Sequence, residues 1–325
     1  MSGHGAERGP GDRPRWRQVD GIVLLDKPPG LGSTPALQRV RRLLHAAKAG
    51  HAGTLDPMAT GMLPLCFGQA TKACGALLGS SKAYRATVLL GAATDTGDAE
   101  GRTVRTGAVP PLDPEIVTGA MARVSGTREQ MPPMYSALKH QGRPLYELAR
   151  RGEEVARTPR TVSIHRLDLL RLDSAAIDFE VVCSKGTYVR VLGEELAAAL
   201  GTVGHLAALR RLWVEPFVDS PMVTLQEIED WAASGPAEDG HPAWLLPVDA
   251  AFPDLPRVDL SSLDSLHLRQ GRILRAPPAL SLPGHARAYD ESGRFLGLVE
   301  GDGAGGLRVA RLFVGGASGK GANPA

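Results

Sequence analysis

The sequence predicts an α+β protein in two parts: a mixed-sheet domain over residues 20–249 and a small β-rich module over 250–316. Three observations lead there. Strand-like and helix-like segments follow one another irregularly up to Pro247, with no internal repeat. Past Pro247 the runs ARAYD, FLGLVE and LRVARLFV are short, strand-like and separated by the turns ESGR and GDGAGG. The chain has 325 residues, 43% hydrophobic and 22% charged, enough to bury a core without disulfide or metal staples. The Gly-, Arg- and Pro-rich residues 1–19 and the end 317–325 are expected to be disordered tails.

GIVLLDKPPG (21–30) is an apolar run closed by Pro-Pro-Gly, hence a strand entering a turn. A helix should follow, with Thr34 as N-cap, Pro35 at the first helical position, Leu37, Val40, Leu44 and Ala47 on one face and Gly50 as the stop. Residues 51–69 have neither period; three glycines and two prolines predict a structured loop. A short helix is expected over 70–80, a strand over 83–92, turns through TDTGDAEG and a helix over 114–125. Residues 162–183 read as a hairpin whose second arm puts Ile177, Phe179, Val181 and Cys183 on one face. Leu192, Leu196 and Leu200, four apart and stopped by Gly201, predict a helix after Tyr188. Thr224 and Glu227 form a capping box opening a helix to about Ser234, and GPAEDGHP (235–242) reads as a linker.

Several function classes are disfavoured. No run of 18 apolar residues predicts a membrane span, and the N-terminus lacks a secretory apolar core. Three cysteines without a CxxC pair favour a reducing, cytoplasmic compartment over a disulfide framework or a thiolate zinc site. Nine scattered histidines show neither HxH nor HExxH spacing, so no metal is expected. GxGxxG, GxxxxGK[ST] and GxSxG are all missing, so no nucleotide cofactor or hydrolase triad is expected. GLGST (30–34) fits an anion site at a helix N-terminus or a plain cap. Net charge is only +2, but Arg39, Arg41, Arg42, His45 and Lys48 form one basic stretch, and Lys139 to Arg160 contain a second. Such stretches are phosphate-tracking surfaces or solvated helix faces.

Three places are candidates for chemistry. His51, Asp56 and Thr60 sit on a backbone kinked by Gly53, Pro57 and Gly61; Asp56 is either a displayed acid or a turn residue. In CSKGTYVRVLGEEL (183–196) Tyr188 and Arg190 project from a strand-to-helix junction, as substrate contacts or as a core aromatic and a surface cation. Tyr84 opens a strand, where packing is the plain alternative.

GHAGTLDPMATGMLPLCFGQATK (50–72) resembles the catalytic loop of the TruB-type tRNA pseudouridine synthases. GIVLLDKPPG, KAYRATVLLGAATDTGDAEG, QMPPMYSALKHQGRPLYELARRG, CSKGTYVRVL and LRRLWVEPF follow the same family's pattern in order across residues 21–250. The segment after 250 resembles, more loosely, the PUA-type RNA-binding module of the family's bacterial members. Gly32-Ser33 stands where two serines are common in the family.

The resemblance implies a cofactor-free isomerisation of uridine to pseudouridine at position 55 in the T-arm stem-loop of tRNA. The target nucleotide would be flipped out of its stack. It implies Asp56 as the catalytic carboxylate, Arg190 as its ion-pair partner and Tyr84 stacked on the flipped base. Tyr188 and Leu209 would be further substrate contacts, His51 the residue that helps displace the base, and Lys27 a residue at the pocket edge. The expected form is a cytoplasmic monomer with no membrane association. The rival readings are a non-catalytic RNA-binding or tRNA-folding module and a related synthase acting on another RNA.

Overall fold

The computed structural model describes residues 16–235, 242–275 and 284–313; most of the expected N-terminal tail, all of the expected C-terminal tail and the centre of the expected 235–242 linker lie outside the described residues. β1 (Gly21–Lys27) is apolar from Ile22 to Leu25 because both its sides are covered there. Val23 and Leu25 enter one core cluster, Ile22 and Leu24 another. α1 (Ser33–Leu43) begins two residues earlier than expected, with Gly32 rather than Thr34 at the cap, and ends at Leu43, before Ala47 and Gly50. Ser33 is drawn in because its hydroxyl accepts from Leu55 N–H at 2.7 Å and donates to Leu55 O at 3.0 Å. Gly50 belongs instead to β2 (Ala49–His51).

The second half of the expected 51–69 loop is β3 (Thr60–Phe67), a strand buried from Gly61 to Phe67. Its two covered faces erase the period-two signal. Pro64 sits inside it without loss to the β1 ladder. Its carbonyl points to the β2 side and accepts from Ala52 N–H at 2.9 Å, and a residue's missing N–H points the same way as its C=O. Gly61 is required for the opposite reason: with φ at +93°, a Cβ there would lie 2.1 Å from the Arg211 carbonyl oxygen. Gly61→Ala is expected to cost more than about 2 kcal/mol, read as a lowered urea midpoint.

A 3-10 turn over Gly68–Ala73 leads into α2 (Cys74–Leu78) and β4 (Lys82–Leu90). β5 (Ala92–Thr94) and β6 (Thr103–Thr106) form a small hairpin around TDTGDAEG. α3 (Pro114–Arg123) is capped by Asp113 and precedes β7 (Gly126–Gln130). β8 (Lys139–His140), β9 (Arg143–Pro144) and α4 (Leu145–Arg150) make up a projecting segment. β10 (Arg160–Leu172) and β11 (Ala176–Cys183) form the expected hairpin, with Ile177, Phe179, Val181 and Cys183 all buried. α5 (Val189–Ala199) starts at Tyr188, buries Leu192 and Leu196 completely, and is ended by Gly201 at φ +78°.

β12 (Gly204–Val214) covers LRRLW and was not signalled by periodicity; two register shifts against β4 break its alternation. β13 (Val223–Thr224) runs into α6 (Leu225–Ala233), whose capping box is formed as expected. With β14 (Leu245–Leu246) these strands complete a ten-stranded mixed sheet in the order β13-β1-β3-β12-β4-β11-β10-β7, with β14 on β1 and β2 on β3. The β1–β13 and β3–β12 pairs are parallel and the rest antiparallel. α1, α3, α5 and α6 contribute to one core cluster, and the 3-10 turn and α2 pack with the other.

The last part is β15 (Arg257–Asp259), α7 (Ser262–Arg269), β16 (Leu274–Arg275), β17 (Gly284–Tyr289), β18 (Phe295–Gly301) and β19 (Gly306–Leu312). Its five strands run in the order β15-β17-β18-β19-β16, a separate sheet that fits a PUA-like fold. α7, capped by Ser261, was not expected in an all-β module. The two sheets are joined by Phe313 in the second core cluster and by Lys72 Nζ donating to Leu312 O at 2.7 Å.

Candidate active site

Asp56 stands on the loop between β2 and β3, where the chain is irregular because both neighbouring ladders have ended. Its backbone is tied by Ala59 N–H to Asp56 O at 3.1 Å and by Gly30 N–H to Pro57 O at 2.8 Å. Its carboxylate, one-third exposed, faces the Arg190 guanidinium, 6% exposed, in two contacts. Nε lies 3.0 Å from Oδ2, and Nη2 donates to Oδ1 at 3.4 Å. Arg190 is fixed from its other side: Nη1 donates to Thr96 O at 2.8 Å and lies 3.6 Å from Asp98 Oδ2, and Nη2 donates to Tyr135 O at 2.6 Å. Burial pushes the Asp56 carboxyl above the ordinary aspartate range; Arg190 and Lys27 oppose this, while Asp98 adds to it.

Asp56 borders a cavity of about 330 Å³ whose wall includes Tyr84, Leu209, Tyr188, Arg190 and Arg211. Tyr84 and Leu209 come from β4 and β12 on the helix-covered face of the sheet. Tyr188 is held at the start of α5 by Gln130: its N–H donates to Gln130 Oε1 at 2.8 Å, and Gln130 Nε2 donates to Tyr188 O at 3.2 Å. Burial raises both phenols above the usual tyrosine value; Arg211 opposes the shift at Tyr84. A second, larger cavity opens on the other side of Asp56 and Arg190, bordered by Ser33, Asp95, Tyr146 and Arg150. The ion pair thus forms part of the wall of both. One carboxylate, held by a buried guanidinium at an aromatic-lined cavity, can attack carbon or take a proton from a bound molecule.

A family model described as TruB family pseudouridylate synthase, N terminal domain, matches residues 41–189. Two others, the tRNA pseudouridylate synthase B C-terminal domain and the pseudouridine synthase II TruB C-terminal model, match residues 190–253 and 256–313. The chain is 52% identical over 300 residues to the tRNA pseudouridine synthase B of Aromatoleum aromaticum, covering 92% of this chain and 94% of that protein. The chain belongs to the TruB family of pseudouridylate synthases. Its protein in Chromohalobacter salexigens, also called tRNA pseudouridine synthase B, is 48% identical over 88% of this chain and 92% of the relative. A chain in the crystal structure of a Cbf5–Nop10–Gar1 complex has the same fold, with a TM-score of 0.68, 24% identity, and 95% and 92% of the two chains covered.

Of the site residues expected in this TruB-family chain, Asp56, Tyr84, Tyr188, Arg190 and Leu209 meet at one cavity. Lys27 and His51 do not line it. Lys27 is fully buried behind the Asp56 loop, with its ammonium donating to the carbonyls of Leu31 (2.6 Å), Pro28 (2.9 Å) and Pro57 (3.2 Å). Burial pulls the Lys27 ammonium down to about 8, with Asp56 acting in the other direction. Its ammonium thereby ties the turn after β1 to the loop that carries Asp56. Lys27→Met is expected to lower stability by about 1–3 kcal/mol and to lower turnover, with RNA affinity little changed; melting curves and single-turnover assays check this. His51, half-buried in β2, has its pKa lowered by burial and by Arg211.

Periodicity and spacing do not point to Arg211, Asp98 or Gln130, nor to Lys82, which also borders the smaller cavity. The basic stretch at 39–48 is partly engaged within the fold. Arg39 pairs with Glu229 at 2.6 Å, and Arg41 donates to Ala46 O and Ala47 O. Lys48 remains exposed, as do Lys139, Arg143 and Arg151 in the second stretch. Among the described residues no group of three or more His, Cys, Asp or Glu side chains is placed to hold a metal ion, and no helix is long and apolar enough to cross a membrane.

Proposed function

We propose that this chain isomerises uridine to pseudouridine at position 55 in the T-loop of tRNA, with Asp56 as the reacting carboxylate. Pseudouridine synthase activity on tRNA follows from membership of the family and from relatives named tRNA pseudouridine synthase B at 45–52% identity. The observation that carries the finer reading is the Asp56–Arg190 pair at the wall of a cavity lined by Tyr84, Tyr188 and Leu209. At about 330 Å³ the cavity is at the lower end of small-molecule sites. That suits one nucleotide turned out of its stack, and not a duplex.

The reaction breaks N1–C1′ and leaves the electron pair on the base. The base rotates, C5 forms the new bond to C1′, the C5 proton leaves and N1 gains one. Substrate and product are isomers, so the reaction requires no net oxidant and no group donor. Asp56 serves either by adding to the sugar or base or by removing a sugar proton. Both routes need it ionised, and Arg190 favours the ionised form against burial. Tyr84 stacks on the base, with Tyr188 and Leu209 closing the cavity, and stacking offsets the flipping cost of a few kcal/mol. His51 helps to displace the base, and Lys27 supports the loop beneath it.

A folded stem-loop offers splayed bases and a phosphate backbone together. The exposed cations of residues 139–151 suit the phosphates. In this reading residues 20–249 catalyse, residues 250–316 touch the acceptor arm, and the chain acts as a cytoplasmic monomer without a cofactor. Three free cysteines are compatible with a reducing compartment. The test is incubation with a T-arm stem-loop followed by mapping of pseudouridine. Product at the T-loop uridine supports the reading. Binding without product favours a tRNA-folding module, and product only in another RNA favours a synthase of different target.

A further inference from the structure

Arg211 is a buried cation without a carboxylate partner. It is 1% exposed, and its guanidinium donates to two carbonyls, Met62 O at 2.6 Å from Nε and Gly53 O at 3.2 Å from Nη2, and is hydrogen-bonded to the Tyr84 side chain. Among the described residues no Asp or Glu forms a salt bridge with it. Such a group is costly to bury, and an apolar side chain of similar volume would suit the sheet as well or better. Yet the fold makes room for it twice. Gly61 allows the Arg211 backbone to approach β3, and a Cβ at Gly53 would sit 3.3 Å from Arg211 Nη1. Arg211 also faces Tyr84 directly across the β12–β4 ladder and borders the same cavity. Residues opposed in this way have Cβ atoms about 4.5–5.5 Å apart.

We propose that Arg211 is a positioning residue for the isomerisation, clamping the Gly53 and Met62 carbonyls while setting the Tyr84 phenol against the loop that carries Asp56. The proposal rests on the function given above. One side chain touches the strand that follows the catalytic loop, the loop itself three residues before Asp56, and the tyrosine opposite. A displacement of any of the three is therefore carried to the others. The uncompensated charge has a second consequence: it keeps the cavity floor electropositive while N1–C1′ cleavage leaves an electron pair on the base. Lysine lacks the planar fork needed for these contacts together, although it keeps the charge.

The test compares wild type, Arg211→Lys and Arg211→Met with a T-arm stem-loop. For Arg211→Lys the single-turnover rate at saturating RNA should fall about tenfold or more, with the dissociation constant within about twofold. In parallel, ¹³C-tyrosine NMR of the free protein reads the five tyrosines, with Tyr84 assigned through Tyr84→Phe. The Tyr84 resonance should move in Arg211→Lys while Tyr146 and Tyr289 stay in place. An unchanged rate, an unchanged Tyr84 resonance, or movement of all five resonances with a matching fall in Tm would overturn the proposal. If Arg211→Met does not fold, Arg211→Lys decides the question alone. If wild type forms no pseudouridine, the functional reading fails, and the NMR arm still decides whether Arg211 positions Tyr84.

Discussion

Asp56→Asn is expected to lose pseudouridine formation by on the order of 10³-fold or more, while RNA affinity stays within about threefold. The amide keeps the shape of the acid, and the loop is held by groups other than the carboxylate: Ala59 N–H on Asp56 O, Gly30 N–H on Pro57 O, and Lys27 beneath. What it loses is the negative charge, and with it the ability to attack carbon or accept a proton. Arg190 keeps Thr96 O, Tyr135 O and Asp98 when Asp56 is neutral, so the fold should hold. The direction of the stability change follows from the raised pKa of Asp56. The folded chain binds a proton there more readily than the unfolded chain, so the ionised carboxylate costs stability at pH above its folded value. That cost is absent in acid and grows as the pH rises from the unfolded value to the folded one. Asp56→Asn should therefore have an unchanged or slightly higher Tm at pH 7. Filter binding, tritium release and melting on one preparation check all three. Substantial turnover by a variant shown free of deamidation would assign the chemistry to another carboxylate.

Arg190→Met should be damaging in a different way, because it harms stability and activity together. It leaves Thr96 O and Tyr135 O without a donor from this side chain and brings the Asp56 and Asp98 carboxylates together without the cation between them. Removing one partner of a buried pair costs about 3–5 kcal/mol. The loss should depend on pH. Without Arg190 the Asp56 carboxyl is raised further above its unfolded value, so the deficit against wild type is largest where Asp56 is ionised and shrinks as the pH falls. Activity that remains should have its acid limb moved to higher pH, since a larger fraction of Asp56 is protonated. Tm measured from pH 5 to pH 8, with single-turnover rates over the same range, reads both effects. A Tm deficit that is the same at all these pH values would remove electrostatics from the explanation.

Much of the fold was legible because its signals are local. The β10–β11 hairpin alternates buried and less buried residues along its second arm, α5 repeats leucine every fourth position, and α6 opens with Thr224 and Glu227. The candidate site was read in a different manner. Residue spacing left Asp56, Tyr84, Tyr188 and Arg190 each with an ordinary structural alternative, and the family resemblance selected among them.

The elements that escaped share a cause. β3 is covered on both faces, so it carries no alternation and its Gly and Pro read as loop; β12 is put out of period by two register shifts. α7 lies in a segment whose strand and turn signals suggested β structure alone. Side-chain roles escaped for a related reason. Lys27 appears in sequence as a cation beside two prolines, and only the folded chain surrounds it with the carbonyls of Pro28, Leu31 and Pro57.

By itself the sequence determined the family and the α+β class, because each is written in contiguous motifs or short-range periodicity, and through the family resemblance it pointed to Asp56 as the acid proposed here. The resemblance already implied Arg190 as the partner of Asp56; only the tertiary structure showed across what spans the cations act and which of them serve the scaffold. Arg190 reaches Asp56 across 134 positions, Arg211 reaches Gly53 across 158, and Arg39 is taken up by Glu229. The energy of a charge depends on what surrounds it after folding, and those surroundings come from segments far apart in the chain.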